Sequence, residues 1–209
     1  METMDREQLA KLQGERLHKT IQRVYKNVPM YRERMQQIGL EPGDIRTVDD
    51  LKYLPFTQKT DLRDNYPFGL FAASRDEIVR LHASSGTTGK PITACYTRAD
   101  LDNWAEMVAR LCVAGGASDE DIAQISFGYG LFTGALGLHY GLERLGATVV
   151  PISSGNTERQ IMLMRDFGAT VLIATPAYAM YMAETAERMG LTGELKLKYG
   201  ILGAEGSTE

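Results

Sequence analysis

The chain has 209 residues, room for one or two domains with a sizeable buried core. Its 23 Lys+Arg against 27 Asp+Glu give a net charge of −4, which weighs against a nucleic-acid partner that would ask for a basic field. With 44% hydrophobic and 24% charged residues it has the composition of a globular protein, not a disordered one.

The first predicted element is an amphipathic helix. Leu9, Leu12, Leu17, Ile21, Val24, Val28 and Tyr31 recur mostly at steps of three and four, which aligns them on one helix face. Pro29 breaks or kinks that helix, because proline has no amide hydrogen and its ring collides with the preceding turn. Gly39 and Glu41-Pro42-Gly43-Asp44 read as a loop. A helix start follows in Phe56–Leu62, with Thr57 as the N-cap and Asp61 near the positive end of the helix dipole. Residues 1–75 are therefore expected to form a helical, proline-punctuated segment.

From Ile78 short β-branched runs alternate with helical stretches. Strands are expected over residues 77–83, 92–97, 122–126, 147–151, 170–174 and 197–202, and helices over 101–114, 134–145, 158–167 and 178–189. This alternation implies crossover units and a largely parallel sheet over residues 76–209, an α/β fold whose ligands bind at the carboxyl ends of the strands. Trp104 and Met107, three apart on one helix, read as core; Arg159 and Arg165 read as surface charges, and His139 as a packing histidine.

No apolar run approaches the roughly 18 residues of a membrane helix. The opening METMDREQLAKLQGERLHKT carries charges throughout and lacks the apolar stretch of a signal peptide. Cys95 and Cys112 stand alone and are expected to be reduced core thiols of a cytoplasmic protein. His18, His82 and His139 are far apart in sequence, so no metal cluster is visible locally and no metal ligand is assigned.

The densest chemical signal is Ser84-Ser85-Gly86-Thr87-Thr88-Gly89-Lys90-Pro91, between two predicted strands. Glycines let backbone amides turn toward an anion, hydroxyls donate to phosphate oxygens, and one lysine supplies charge. This is not a Walker A loop, which requires glycine at the place of Ser84 and Ser or Thr at that of Pro91. A plain Ser/Gly/Thr hairpin loop is the competing reading. At the other end, Ile201–Glu205 is a strand running into a loop, and the sequence stops four residues later. A strand's carboxyl end is a poor place for a complete α/β domain to finish, so a fragment is expected.

Ser84–Pro91 resembles the phosphate-binding loop of adenylate-forming enzymes, the superfamily of acyl-CoA synthetases, peptide-synthetase adenylation domains and luciferases. SSGTTGKP followed by Tyr96-Thr97 is similar to the phenylacetate–CoA ligase branch. Phe127–Gly134 resembles that branch's aromatic substrate-site loop, His139–Ala147 the helix after it, and Ser154–Gln160 the next helix entry. Gly203-Ala204-Glu205 matches its strand-end motif beside nucleotide and acyl group; residues 25–31 and 54–59 look like its helical preface. The resemblance covers essentially the whole chain.

The resemblance implies an ATP-dependent aryl-acid–CoA ligase of phenylacetate catabolism. A carboxylate attacks the α-phosphate of ATP to give an acyl-adenylate, and coenzyme A then displaces AMP. ATP, Mg²⁺ and coenzyme A are the implied substrates or cofactors. The implied ATP phosphate-binding residues are Ser84, Ser85, Gly86, Thr87, Thr88, Gly89 and Lys90. Tyr129, Phe132, Gly134 and Ala204 would line the acyl pocket, and Gly203 and Glu205 would lie near the nucleotide. The partners implied are a small aryl carboxylate, ATP and CoA, without nucleic acid or membrane, and a homodimer supported by the helical preface. The expected architecture is that preface, 1–75, followed by a three-layer α/β/α subdomain, 76–209, an incomplete part of the large domain of an adenylate-forming enzyme.

Two departures qualify the match. Gly206-Ser207 stand where the family usually has proline and often a bulky residue. The family's ribose-binding acid, metal-binding glutamate and mobile C-terminal domain have no counterpart in these residues, so no complete catalytic set is assigned and the chain alone is expected to be inactive. The alternatives are a non-catalytic nucleotide- or aryl-acid-binding module and an adenylate-forming ligase for a different acid.

Overall fold

A computed structural model describes residues 3–84, 89 and 91–206 and divides the chain into two compact units, Met1–Thr97 and Arg98–Glu209. The first unit opens with α1 (Arg6–Asn27), whose N-terminal amides at Glu7 and Gln8 donate to the Asp5 side chain. The helix breaks at Val28, immediately before Pro29, as expected. Pro29 is the first residue of α2 (Pro29–Gln37), where its missing amide hydrogen leaves nothing unpaired. Ile21, Met35 and Ile45 form the small buried core of this unit, with Leu17, Tyr25, Leu40 and Leu54 packed around it.

Polar closure does much of the local work here. The predicted loop at 41–44 holds a single 3₁₀ turn, Pro42–Asp44, closed reciprocally by Glu41 and Asp44. A second 3₁₀ stretch, Val48–Tyr53, is closed by Thr47 and Asp50 in the same way. α3 (Lys59–Asp64) is capped by Gln58 and not by Thr57. The box explains the shift: Asp61 accepts the Gln58 amide at 2.7 Å, while the Thr57 hydroxyl pairs with the Tyr31 phenol at 2.8 Å.

β1 (Ile78–Ala83) and β2 (Thr93–Thr97) form an antiparallel two-stranded sheet of their own, which corrects the expectation that they join a parallel sheet. The link between them is too short for a crossover, so the strands can only fold back on each other. The hairpin groups with the helical segment, and the Thr93 hydroxyl donates to the Pro67 carbonyl. The division at 97/98 thus differs from the boundary expected at 75/76.

The second unit runs α4 (Arg98–Ala114), β3 (Ile122–Ile125), α5 (Gly134–Leu145), β4 (Thr148–Val150), α6 (Thr157–Phe167), β5 (Val171–Ala174), α7 (Pro176–Arg188) and β6 (Tyr199–Leu202). Its strands are all parallel, in the order β4-β3-β5-β6. Side-chain alternation separates two apolar layers. Ala123, Ile125, Val171 and Ile173 face Cys112 of α4 and Ala135 and Leu142 of α5. Ile122, Leu172 and Ala174 face Met164 of α6 and Met182 of α7. The unit is therefore the expected three-layer α/β/α sandwich. Burial pushes the Cys112 thiol above its ordinary range, as expected of a core cysteine.

Glycine lets α4 and α5 approach closely. A Cβ on Gly137 would lie 2.5 Å from the Trp104 ring, and one on Gly141 2.4 Å from Val108 Cγ1. The inward stripe of α4 thus passes through Trp104, Val108 and Cys112 at four-residue steps. Met107 falls off that stripe and is 62% exposed, which corrects its assignment to the core. Among the described residues no helix is long and apolar enough to cross a membrane.

Candidate functional site

In the second unit, β3 leads through α5 to its neighbour β4 on one side. The chain then returns past β3 to β5, and continues outward through α7 to β6. Connections from β3 and β5 thus leave in opposite directions, the switch point at which parallel sheets open a crevice beyond their carboxyl ends. The segments beyond that edge are 126–133, 151–156, Thr175 and Gly203–Glu205, and most of the predicted acyl-pocket and nucleotide-proximal residues fall within them.

Tyr129 is half-buried against the apolar layer under α5. Its hydroxyl lies 3.2 Å from His139 Nδ1, and His139 Nε2 lies 3.1 Å from Glu143 Oε1, one turn along α5. The two rings meet edge to face. Burial, and secondarily the charge of Glu143, push the Tyr129 phenol up to about 12, so it keeps its proton at neutral pH. His139 is therefore a polar partner of Tyr129 as well as a packed ring. Phe132 is 59% exposed, and Gly134, the first residue of α5, faces open space.

Gly203, Ala204 and Glu205 follow β6 directly. The Gly203 amide donates to the Ala174 carbonyl, and Ala204 adopts the left-handed backbone region. Glu205 Oε1 accepts the Ala177 amide at 2.7 Å. Its carboxylate thus sits at the start of α7, where helix N-termini favour negative charge.

In the first unit, Ser84 closes the base of the hairpin loop. Its amide donates to the Ile92 carbonyl, and its hydroxyl accepts the Ile92 amide at 2.9 Å. Gly89 has a positive φ of 127°, a conformation that L side chains rarely adopt. Ser85, Gly86, Thr87, Thr88 and Lys90 lie outside the described residues.

Some of the edge was not predicted. Gln160, buried on α6, donates from Nε2 to the carbonyls of Gly155 (2.7 Å) and Ser153 (3.1 Å) and to the Tyr178 hydroxyl (3.0 Å). It clamps a turn in which Ser153, Gly155 and Asn156 all have positive φ. Ser153 Oγ in turn accepts the Tyr129 amide at 3.4 Å. Glycine and asparagine announce such a turn, but nothing in the sequence marks Ser153 as left-handed. Among the described residues no group of His, Cys, Asp and Glu side chains is arranged to hold a metal ion.

No family model matches the chain. Its similarity to curated proteins is extensive nonetheless. It is 50% identical over 210 residues to the phenylacetate-coenzyme A ligase of Pseudomonas putida, covering 100% of this chain and 48% of that protein. To the enzyme of that name from Thermus thermophilus it is 52% identical over 210 residues, covering 100% and 47%. The Escherichia coli counterpart is 48% identical over 211 residues, covering 100% and 48%. The chain spans about half the length of the curated relatives it matches. Among solved structures it superposes with a TM-score of 0.90 on 2-hydroxyisobutyryl-CoA ligase in complex with 2-HIB-AMP and CoA in the thioesterification state. That protein is 28% identical, with 97% of this chain and 45% of that one covered. An open conformation of the same ligase gives 0.89 at 26% identity, with 98% and 46% covered.

Proposed function

We propose, from the premise that this chain belongs to the phenylacetate–coenzyme A ligase family and corresponds to an N-terminal portion of such an enzyme, that the complete protein joins phenylacetate or a close aryl analogue to coenzyme A. The observation that carries this reading is identity near 50% along the whole chain to enzymes of that name. The similarity to a 2-hydroxyisobutyryl-CoA ligase is far lower, at 28%, and favours the shared chemistry over that particular acid.

The reaction has two steps. The carboxylate oxygen attacks the α-phosphorus of ATP and pyrophosphate leaves, giving the acyl-adenylate. The coenzyme A sulfur then attacks the acyl carbon and AMP leaves, giving the thioester. In the first unit, Ser84–Lys90 is assigned to the ATP phosphates, through glycine-freed amides, hydroxyls and one ammonium. In the second unit, Tyr129 offers an aromatic wall at the sheet's carboxyl edge, the kind of surface an aryl group rewards. Phe132, Gly134 and Ala204 are assigned to the same acyl group, and Gly203 to the nucleotide. Glu205, engaged with Ala177, would hold the start of α7 in place beside the nucleotide. Mg²⁺ would enter with ATP, since this ion commonly rides on substrate phosphates.

The test is a panel of acids given to the complete protein with ATP, Mg²⁺ and coenzyme A, read as AMP and thioester formed. Phenylacetate should lead aliphatic acids of similar size. A preference for 2-hydroxyisobutyrate, or no acid-dependent AMP release from folded protein, would overturn the reading. The isolated 209 residues should make no thioester.

A further inference from the structure

We infer that His139 and Glu143 are positioning residues that hold Tyr129 in one orientation through a directed hydrogen-bond chain from phenol to imidazole to carboxylate. The inference rests on the reading above that Tyr129 faces the acyl group. The direction of the chain follows from what each group can do. An ionised carboxylate only accepts, so Glu143 Oε1, 3.1 Å from His139 Nε2, requires the hydrogen on Nε2. In a neutral imidazole the other nitrogen then has only a lone pair. His139 Nδ1 therefore accepts, and the Tyr129 hydroxyl, 3.2 Å away, donates. The high phenol pKa agrees, because it keeps that hydrogen in place.

Two structural facts make this a positioning device. Tyr129 lies in the irregular segment between β3 and α5, where no ladder fixes its backbone. His139 and Glu143 lie one turn apart on α5, a hydrogen-bonded helix that buries Ala135, Gly137, Gly141 and Leu142. The chain thus ties a loop side chain to the helix that packs beneath it. With its hydrogen committed to His139, the Tyr129 oxygen can offer only a lone pair to any other group. The tether thereby sets the hydrogen-bonding character of the aromatic wall as well as its angle.

Two measurements on the complete protein test this. The first is the ring ¹⁵N spectrum of His139, assigned by its loss in His139→Asn, and needs no substrate. A neutral ring protonated on Nε2 is expected. A ring protonated on Nδ1, or on both nitrogens at neutral pH, would overturn the chain whatever acid the enzyme uses. The second is kinetic. His139→Leu removes the acceptor and should raise KM for phenylacetate about tenfold with KM for ATP unchanged, the scale of one neutral hydrogen bond. His139→Asn, which keeps an acceptor near the place of Nδ1, should recover most of that loss, and Tyr129→Phe added to His139→Leu should cost nothing more. Equal increases in both KM values, or no rescue by asparagine, would make His139 merely structural. The expected ¹⁵N spectrum together with no activity on any aryl acid would sustain the tether and overturn the aryl reading.

Discussion

The two units are built on different economies of contact. Among its described residues, Met1–Thr97 has a small buried cluster of Ile21, Met35 and Ile45, with Val28 buried as well, and leans on reciprocal caps and the Arg34–Asp61 pair. Arg98–Glu209 has two apolar layers on the two faces of one sheet. The helices and 3₁₀ turns of the first unit close their own ends with side chains, so polar groups carry much of their geometry. A parallel sheet closes its own hydrogen bonds and leaves packing to decide the rest.

The largest expected effect contrasts the two cores. Ile173→Ala should cost about 4 kcal/mol and Ile45→Ala about 2, because the smaller cluster can collapse into the space left behind. Urea denaturation of the single variants measures both, and equal costs would break the contrast. Next, Gly141→Ala should cost about 2 kcal/mol by driving a methyl into Val108. A neutral result would mean that α4 and α5 can part freely.

Acid should separate the units by a different route. The Arg34 guanidinium, and next the Gln58 amide, hold the Asp61 carboxyl below the usual carboxylate range. A lowered folded value contributes stability above the unfolded value of about 3.9, and that stability is lost as pH falls through the lower folded one. Asp61→Asn should therefore flatten the acid limb of the urea midpoint below about pH 4. An unchanged slope would show that the pair does not hold α2 to α3. The smallest effect belongs to Phe56, 92% exposed: Phe56→Ser should move stability of the 209-residue chain by less than about 0.5 kcal/mol.

Much of the second unit was legible because its elements are short and periodic. The helix Gly134–Leu145 agrees at both ends, and each predicted strand lies within two residues of an observed one. The misses share a cause, the choice among local partners that a linear pattern does not encode. Thr57 looked like a cap, but Tyr31, distant in sequence, takes its hydroxyl. Met107 looked like core until the glycines of α5 set the stripe one residue over. The parallel expectation failed for β1 and β2 because strand identity says nothing of pairing direction, which the short link decides. The motif puts Tyr129 forward for the candidate site, and the fold sets it beyond the carboxyl end of β3. Its tie to His139 was not legible, since nine residues of loop and helix separate them and only the fold brings them to 3.2 Å.

The strand order also bears on synthesis. β3, which lies inside the sheet, is translated before β4, β5 and β6. On a ribosome it waits with one neighbour after residue 150 and gains its second only when Val171–Ala174 emerges. Until then one flank of an apolar strand is open, the state in which nascent chains are most prone to associate. Stalled chains of increasing length should turn protease-resistant in one step, when β5 clears the exit tunnel.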